Sequence, residues 1–188
     1  ASLNDALTRE VVNRVLQEHV LDGIDWCWLA LGSEGRGEQT LATDQDNALI
    51  LRDGFSFDGL EAVTEAFTAA LIDFGYPPCP GGIMLSRPLW RQPLAGFKAS
   101  IRDWIHGTDP DGPMNLAIFL DAAVVEGDAA LLEAARAQLD LAKARLETAE
   151  LYLGRTEVRA PVAGQVVARN ARLGALATAA GAPMFALV

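Results

Sequence analysis

Gly32, Ser33, Gly35, Arg36 and Gly37 make a short glycine-rich stretch, and after ten residues that follow Ser33 two carboxylates alternate, Asp44 and Asp46. A triphosphate needs unhindered N–H donors and a cation to hold its charge. A glycine turn can offer the donors, and Arg36 beside it adds a positive charge. Asp44 and Asp46 on an extended run point to one face, where they can share Mg²⁺ or Mn²⁺. Together these features indicate metal-dependent phosphoryl transfer. The carboxylates also fit a polar turn. A calcium loop beginning at Asp44 is excluded, because it needs Gly at 49 and Glu at 55, where Leu49 and Phe55 stand. The glycine stretch has neither the Gly-Lys-Ser/Thr of a P-loop nor a dinucleotide fingerprint, and its plainest reading is a strand-to-helix turn. Arg36 is placed either to contact phosphate or to pair with Glu34 or Glu38 at the surface.

The elements that must hold these residues follow from periodicity. Leu3 to Leu21 carries apolar residues at helical spacing and ends at Asp22-Gly23. Trp26 to Leu31 reads as a buried strand leading into the glycine turn, and Asn47 to Leu51 as the strand that continues from the carboxylates. Gly59 to Phe74 is a second amphipathic helix with Val63, Phe67 and Leu71 on its inner face. Pro77, Pro78, Pro80, Gly81 and Gly82 predict a rigid loop, and Leu94 to Ile105 a helix. Met114 to Val125 reads as an apolar strand whose single charge is Asp121. A lone carboxylate in such a run needs a cationic neighbour or a hydrogen-bonded place. Asp121 therefore reads as a third metal carboxylate, as the base that deprotonates an acceptor hydroxyl, or as a satisfied structural acid. Arg87, Trp90, Arg91 and Lys98 could line a nucleotide pocket or form core and solvated rim. His19 and His106 have no partner at catalytic spacing.

The string GSEGRGEQTLATDQDNA resembles the signature of the polymerase-β-like nucleotidyltransferase superfamily, and within it the branch that accompanies CBS and cyclic-nucleotide-binding domains and is related to the uridylyltransferase of the PII signalling protein. Similarity to that branch continues through Gly75-Tyr76-Pro77, Gly81-Gly82-Ile83-Met84, Trp90, Trp104-Ile105 and Phe119-Leu120-Asp121 to Gly127-Asp128, and covers about the first 136 residues. The resemblance implies an α/β (α+β) fold with a small mixed sheet and flanking helices. It also implies transfer of a nucleoside monophosphate from an NTP to an acceptor hydroxyl on an unidentified protein or small molecule, in signalling or regulation. Asp44, Asp46 and Asp121 would hold the metal, and Gly32, Ser33, Gly35 and Arg36 the nucleotide. The alternative from another class is a nucleotide-binding or interaction module without turnover, since the helical domain that follows in that branch is replaced here.

Composition agrees with a globular chain of 188 residues, 51% hydrophobic. Residues 1–136 hold 9 Lys+Arg against 21 Asp+Glu, whereas 137–188 hold 6 against 4. An acidic first part without a basic cluster argues against nucleic-acid binding. Cys27 and Cys79 lack companions at metal-ligand spacing and read as reduced, buried thiols of a cytoplasmic protein. No run is long and apolar enough for a membrane span, and no signal peptide opens the chain. Beginning on Ala1, it is expected to be a trimmed or partial chain.

From Asp128 the pattern changes. Leu132, Ala135, Leu139, Ala142, Leu146, Ala149 and Leu153 form an a/d seam sustained over three heptads, which predicts a coiled-coil-type helix over 131–154 after a first domain of 1–130. Residues 155–188 switch to period two, with strands around Val158 to Val162, Val166-Val167 and Met184 to Leu187. Arg159-Ala160-Pro161, Gly164, Val166, Gly174 and Gly181-x-Pro183 resemble the descending helix and lipoyl-like half-motif of HlyD-type membrane fusion proteins, the adaptors of bacterial efflux pumps. Alone, that resemblance implies a periplasmic adaptor fragment acting in assembly. The whole reads as a chimera of the two pieces. An apolar seam without a second helix to cover it, and half of a two-part sandwich, predict a homo-oligomer formed through 128–188.

Overall fold

The computed structural model describes residues 3–19, 25–38, 44–156, 163–174 and 184–188. They divide into two units, Ala1–Ala144 and Arg145–Val188. The first is an α/β unit around a four-stranded mixed sheet. Its strands are β1 (Trp26–Ala30), β2 (Asn47–Leu51), β3 (Arg91–Pro93) and β4 (Ala123–Gly127), in the order β3-β2-β1-β4. β1 pairs antiparallel with both β2 and β4, and β2 runs parallel to β3. The helices are α1 (Leu3–His19), a single turn α2 (Gly32–Gly35), α3 (Leu60–Asp73), α4 (Leu94–His106), α5 (Gly112–Leu120) and the long α6 (Ala129–Gly154).

β1 and β2 are buried at every position, because helices cover both faces of the sheet. Cys27, Leu29, Ala48 and Ile50 point to one core with Trp90, Phe97, Ile101, Trp104 and Phe119. Trp26, Trp28, Leu49 and Leu51 point to the other with Val12, Val63, Phe67 and Leu71. This two-sided burial explains why WCWLA and NALIL read as continuous apolar runs and not as alternating ones.

The segment 114–125 departs from the expected strand. Gly112–Leu120 is helical, with Pro113 in its first turn, and the strand begins only at Ala123. Proline at a helix start spends no useful N–H and sets φ for the turn. Asn115 and Phe119, four apart, are buried while Met114 and Leu120 are exposed, which is helical periodicity hidden inside an apolar run. Asp121 is thus the C-cap of α5, outside any strand.

The long helix spans the predicted seam, but its parts differ. Leu132, Ala135 and Leu139 belong to the core of the first unit, together with Leu131, whereas Leu146 and Leu153 are exposed. The boundary between the two compact units falls inside this helix, at Ala144/Arg145. In the second unit β5 (Val166–Arg169) and β6 (Phe185–Leu187) form an antiparallel pair. The expected strand around Val158 to Val162 and the Gly181-x-Pro183 motif lie outside the described residues. Among the described residues no helix is long and apolar enough to cross a membrane.

Candidate functional site

Asp44, Gln45 and Asp46 approach β2 alongside the proline-glycine loop. Gln45 bridges Pro78 in parallel fashion, its N–H donates to the Pro77 carbonyl at 3.1 Å, and its Nε2 donates to the Tyr76 carbonyl at 3.0 Å. Two residues on, Asn47 N–H donates to the Ile83 carbonyl, and Asn47 Oδ1 accepts from the Leu85 N–H at 2.9 Å. With Gln45 buried against this loop, Asp44 and Asp46 turn to the opposite side and are both half-buried. The expected alternation is therefore present.

The same docking brings Cys79 to the carboxylates. One ligand atom from each of Asp44, Asp46 and Cys79 lies within 4.8 Å of the others. The Cys79 thiol hydrogen-bonds Asp46, and burial together with that carboxylate pushes the thiol up to about 11. Burial raises the Asp46 carboxyl above its ordinary range; the Cys79 bond opposes this and the Asp44 charge adds to it. Asp46 Oδ1 is buried without a hydrogen-bond partner among the described residues, as are Gln45 Oε1 and Asn47 Nδ2. A carboxylate with one buried, unpartnered oxygen and a second carboxylate close by is an environment suited to a cation. The donor set fits Mg²⁺ or Mn²⁺: hard oxygen ligands from Asp44 and Asp46, with the other coordination positions left to water and phosphate oxygens. Cys79, protonated, serves Asp46 as a donor.

The glycine turn stands beside them. Gly32 has φ +51°, and a Cβ there would lie 2.6 Å from Asp46 Oδ2. Gly35 is required by packing, because its Cβ would meet the Asp121 carbonyl oxygen at 2.0 Å and that of Ala30 at 3.0 Å. The N–H groups of Gly35, Arg36, Gly37 and Glu38 are taken up by the carbonyls of Leu31, Gly32, Glu34 and Ser33. Helix geometry gives the N–H groups of the first residues of the turn, Gly32 and Ser33 among them, no intrahelical partner. Glu34 is buried and accepts from Thr8 Oγ1 at 2.7 Å, so the turn is tied to α1.

Arg36 pairs with Glu38 at 2.8 Å and with Asp121. Among the described residues the close carboxylate group does not include Asp121, which flanks the turn on the Arg36 side. Arg91 is a structural residue, bonded to Thr64 Oγ1 and the Leu85 carbonyl, and Trp90 packs against Trp104 in the core. His106 closes α4 and is exposed. The member of the site missed from sequence is Cys79. The only signal for it was its place in the Pro77–Gly82 loop, which carries no information about a contact with residues 44–46.

Residues 1–111 match the model of a protein family described as "Putative nucleotidyltransferase DUF294". No curated protein matches the chain.

Proposed function

The chain belongs to the DUF294 nucleotidyltransferase family, whose model covers more than half of it, and from that premise we propose that it transfers a nucleoside monophosphate from an NTP to an acceptor hydroxyl in a signalling or regulatory reaction. The observation that carries this reading is the pair Asp44 and Asp46, within 4.8 Å of each other through their ligand atoms, with Asp46 Oδ1 buried and unpartnered beside a glycine turn. Asp44 and Asp46 hold the divalent cation. When bound, that cation neutralises the triphosphate and polarises the α-phosphoryl group. The Gly32 and Ser33 amides and the Ser33 hydroxyl receive phosphate oxygens, and Gly32, without a side chain, lets the phosphates approach Asp46. Arg36 offers a charge at the far flank of the turn. Asp121 is the candidate for a third carboxylate or for the base toward the acceptor, and release from Arg36 frees it for either task. Pyrophosphate leaves as the P–O bond to the acceptor forms.

A second reading, nucleotide binding without turnover, is favoured by the pairing of Asp121 with Arg36, which leaves two carboxylates in the close group where three were expected. Titration calorimetry of the whole chain with Mg²⁺ and each NTP, for wild type and Asp44→Ala, tests the shared premise. Metal-dependent nucleotide binding is expected in wild type only, and equal affinity in the two proteins removes the reading. Release of pyrophosphate from the bound NTP separates transfer from binding.

A further inference from the structure

Magnesium chemistry at Asp44 and Asp46 leaves the third member of the close group, Cys79, without a metal-binding part. Its side chain is nevertheless placed for one. Cys79 is 9% exposed, and its thiol hydrogen-bonds Asp46. One ligand atom from each of the three residues lies within 4.8 Å of the other two. A tetrahedral Zn²⁺ on two carboxylate oxygens and a thiolate, with bonds of about 2.1 and 2.3 Å, sets those atoms roughly 3.4–3.6 Å apart. The remaining gap, about 1.4 Å at most from the 4.8 Å bound, is within reach of χ rotations of two aspartates and a cysteine.

The charge at the group is uncompensated. Among the described residues neither Asp44 nor Asp46 forms an ion pair. Asp46 Oδ1 is buried without a hydrogen-bond partner, and Arg36, the cation of the neighbouring turn, is committed to Glu38 and Asp121. Two carboxylates close together without a counter-charge favour a cation between them. The thiol decides which cation gains most: Mg²⁺ takes oxygen ligands only, whereas Zn²⁺ takes thiolate and carboxylate together.

We propose that Asp44, Asp46 and Cys79 form a three-ligand site for a thiophilic divalent cation, Zn²⁺ foremost, and that its occupation shuts out the Mg²⁺-nucleotide. On binding, the Cys79 S–H bond breaks, its electron pair becomes the sulfur–metal bond, and the proton leaves to solvent. A tetrahedral ion with three protein ligands keeps one open position, whereas Mg²⁺ on two carboxylates keeps several for water and phosphate oxygens. Zn²⁺ therefore engages both aspartates in a geometry that does not serve the triphosphate. The metal site stands on these three side chains alone; the exclusion of nucleotide rests on the nucleotide-transfer reading of Asp44 and Asp46.

The test uses the whole chain in thiol-free buffer, with Co²⁺ as the spectroscopic stand-in for Zn²⁺, and compares wild type, Cys79→Ser and Asp44→Ala. Wild type is expected to develop a near-ultraviolet sulfur-to-cobalt charge-transfer band that Zn²⁺ abolishes by displacement, and Cys79→Ser to show none. In calorimetry both variants should bind Zn²⁺ at least about tenfold more weakly than wild type, since even the loss of a group that only supports a ligand costs that much. No band in wild type, a band that survives Cys79→Ser and so arises from Cys27, or equal Zn²⁺ affinity in wild type and Cys79→Ser overturns the site. Wild type preloaded with one equivalent of Zn²⁺ should then lose its affinity for each NTP in excess Mg²⁺; undiminished affinity overturns the exclusion. If no NTP binds the zinc-free protein either, the nucleotide reading fails and the exclusion with it, while the cobalt band alone decides the metal site.

Discussion

Two glycines of the turn share a backbone state and differ in what surrounds them, which allows strain to be separated from site geometry. Gly32 and Gly37 have φ of +51° and +69°. Alanine in this left-handed region costs about 1–2 kcal/mol at either position. For a chain of this size that corresponds to a fall in melting temperature of about 2–4 °C per kcal/mol. A Cβ on Gly37 has nothing within 4 Å, whereas on Gly32 it stands 2.6 Å from Asp46 Oδ2, and that gap must open beyond 3.0 Å. The obstructing atom ends a short side chain, so a χ rotation of Asp46 relieves the clash at little further cost in stability. That relief displaces the carboxylate from its place beside Cys79 and Asp44, and a misplacement of about 1 Å at a reacting centre can cost about a hundredfold. Gly32→Ala and Gly37→Ala should therefore melt at similar temperatures, while Gly32→Ala alone loses Mg²⁺-nucleotide affinity, by about tenfold or more. Thermal melts with calorimetry on the same samples measure both quantities. Wild-type affinity in Gly32→Ala, or an equal loss in Gly37→Ala, refutes the reasoning.

The remaining predictions concern the flank of the site and the long helix. Asp121→Asn breaks a partly exposed pair with Arg36 and should cost less than about 1 kcal/mol in urea denaturation. It should keep nucleotide affinity and lose pyrophosphate release; turnover at the wild-type rate would leave Asp121 without a part in the reaction. A chain ending at Ala130 removes Leu131, Leu132, Ala135 and Leu139 from the core and should not fold, since cavities left by single leucines already cost about 2–5 kcal/mol each against a total of about 5–15 kcal/mol. One ending at Ala144 should fold and stay monomeric, while the whole chain, with Leu146, Leu151 and Leu153 exposed, should self-associate in light scattering. A monomeric whole chain at high micromolar concentration removes the self-association.

Much of the first unit was legible because local chemistry and final position agree. The runs WCWLA and NALIL can only be buried, glycines cluster where the turn meets Asp121 and Asp46, and alternation of Asp44 and Asp46 across buried Gln45 survives folding. Three features were not legible, each for its own reason. Residues 114–120 are too short and too apolar for their period to distinguish helix from strand. The seam from Leu132 to Leu153 has the same spacing whether it meets a partner helix or the core of its own domain; Leu132, Ala135 and Leu139 join the latter, and no count along the chain predicts where the burial stops. Cys79 reaches Asp46 through a parallel docking of distant segments, and neither segment encodes its partner in its own pattern.

That docking bears on how the protein folds. The bonds from Gln45 to Tyr76 and from Leu85 to Asn47 join residues 31 and 38 positions apart. Between them lies the whole of α3, as a parallel crossover requires. Closing such a loop spends chain entropy before the long-range contacts repay it, which makes it a slow and late event. Until the loop closes, Asp46 has neither Cys79 nor a fixed orientation, so the proposed cation site would have no partly folded precursor. Recovery of Mg²⁺-nucleotide binding during refolding should accordingly lag behind the recovery of helical signal from α3 and α4, and would serve as a clock for the completion of the sheet.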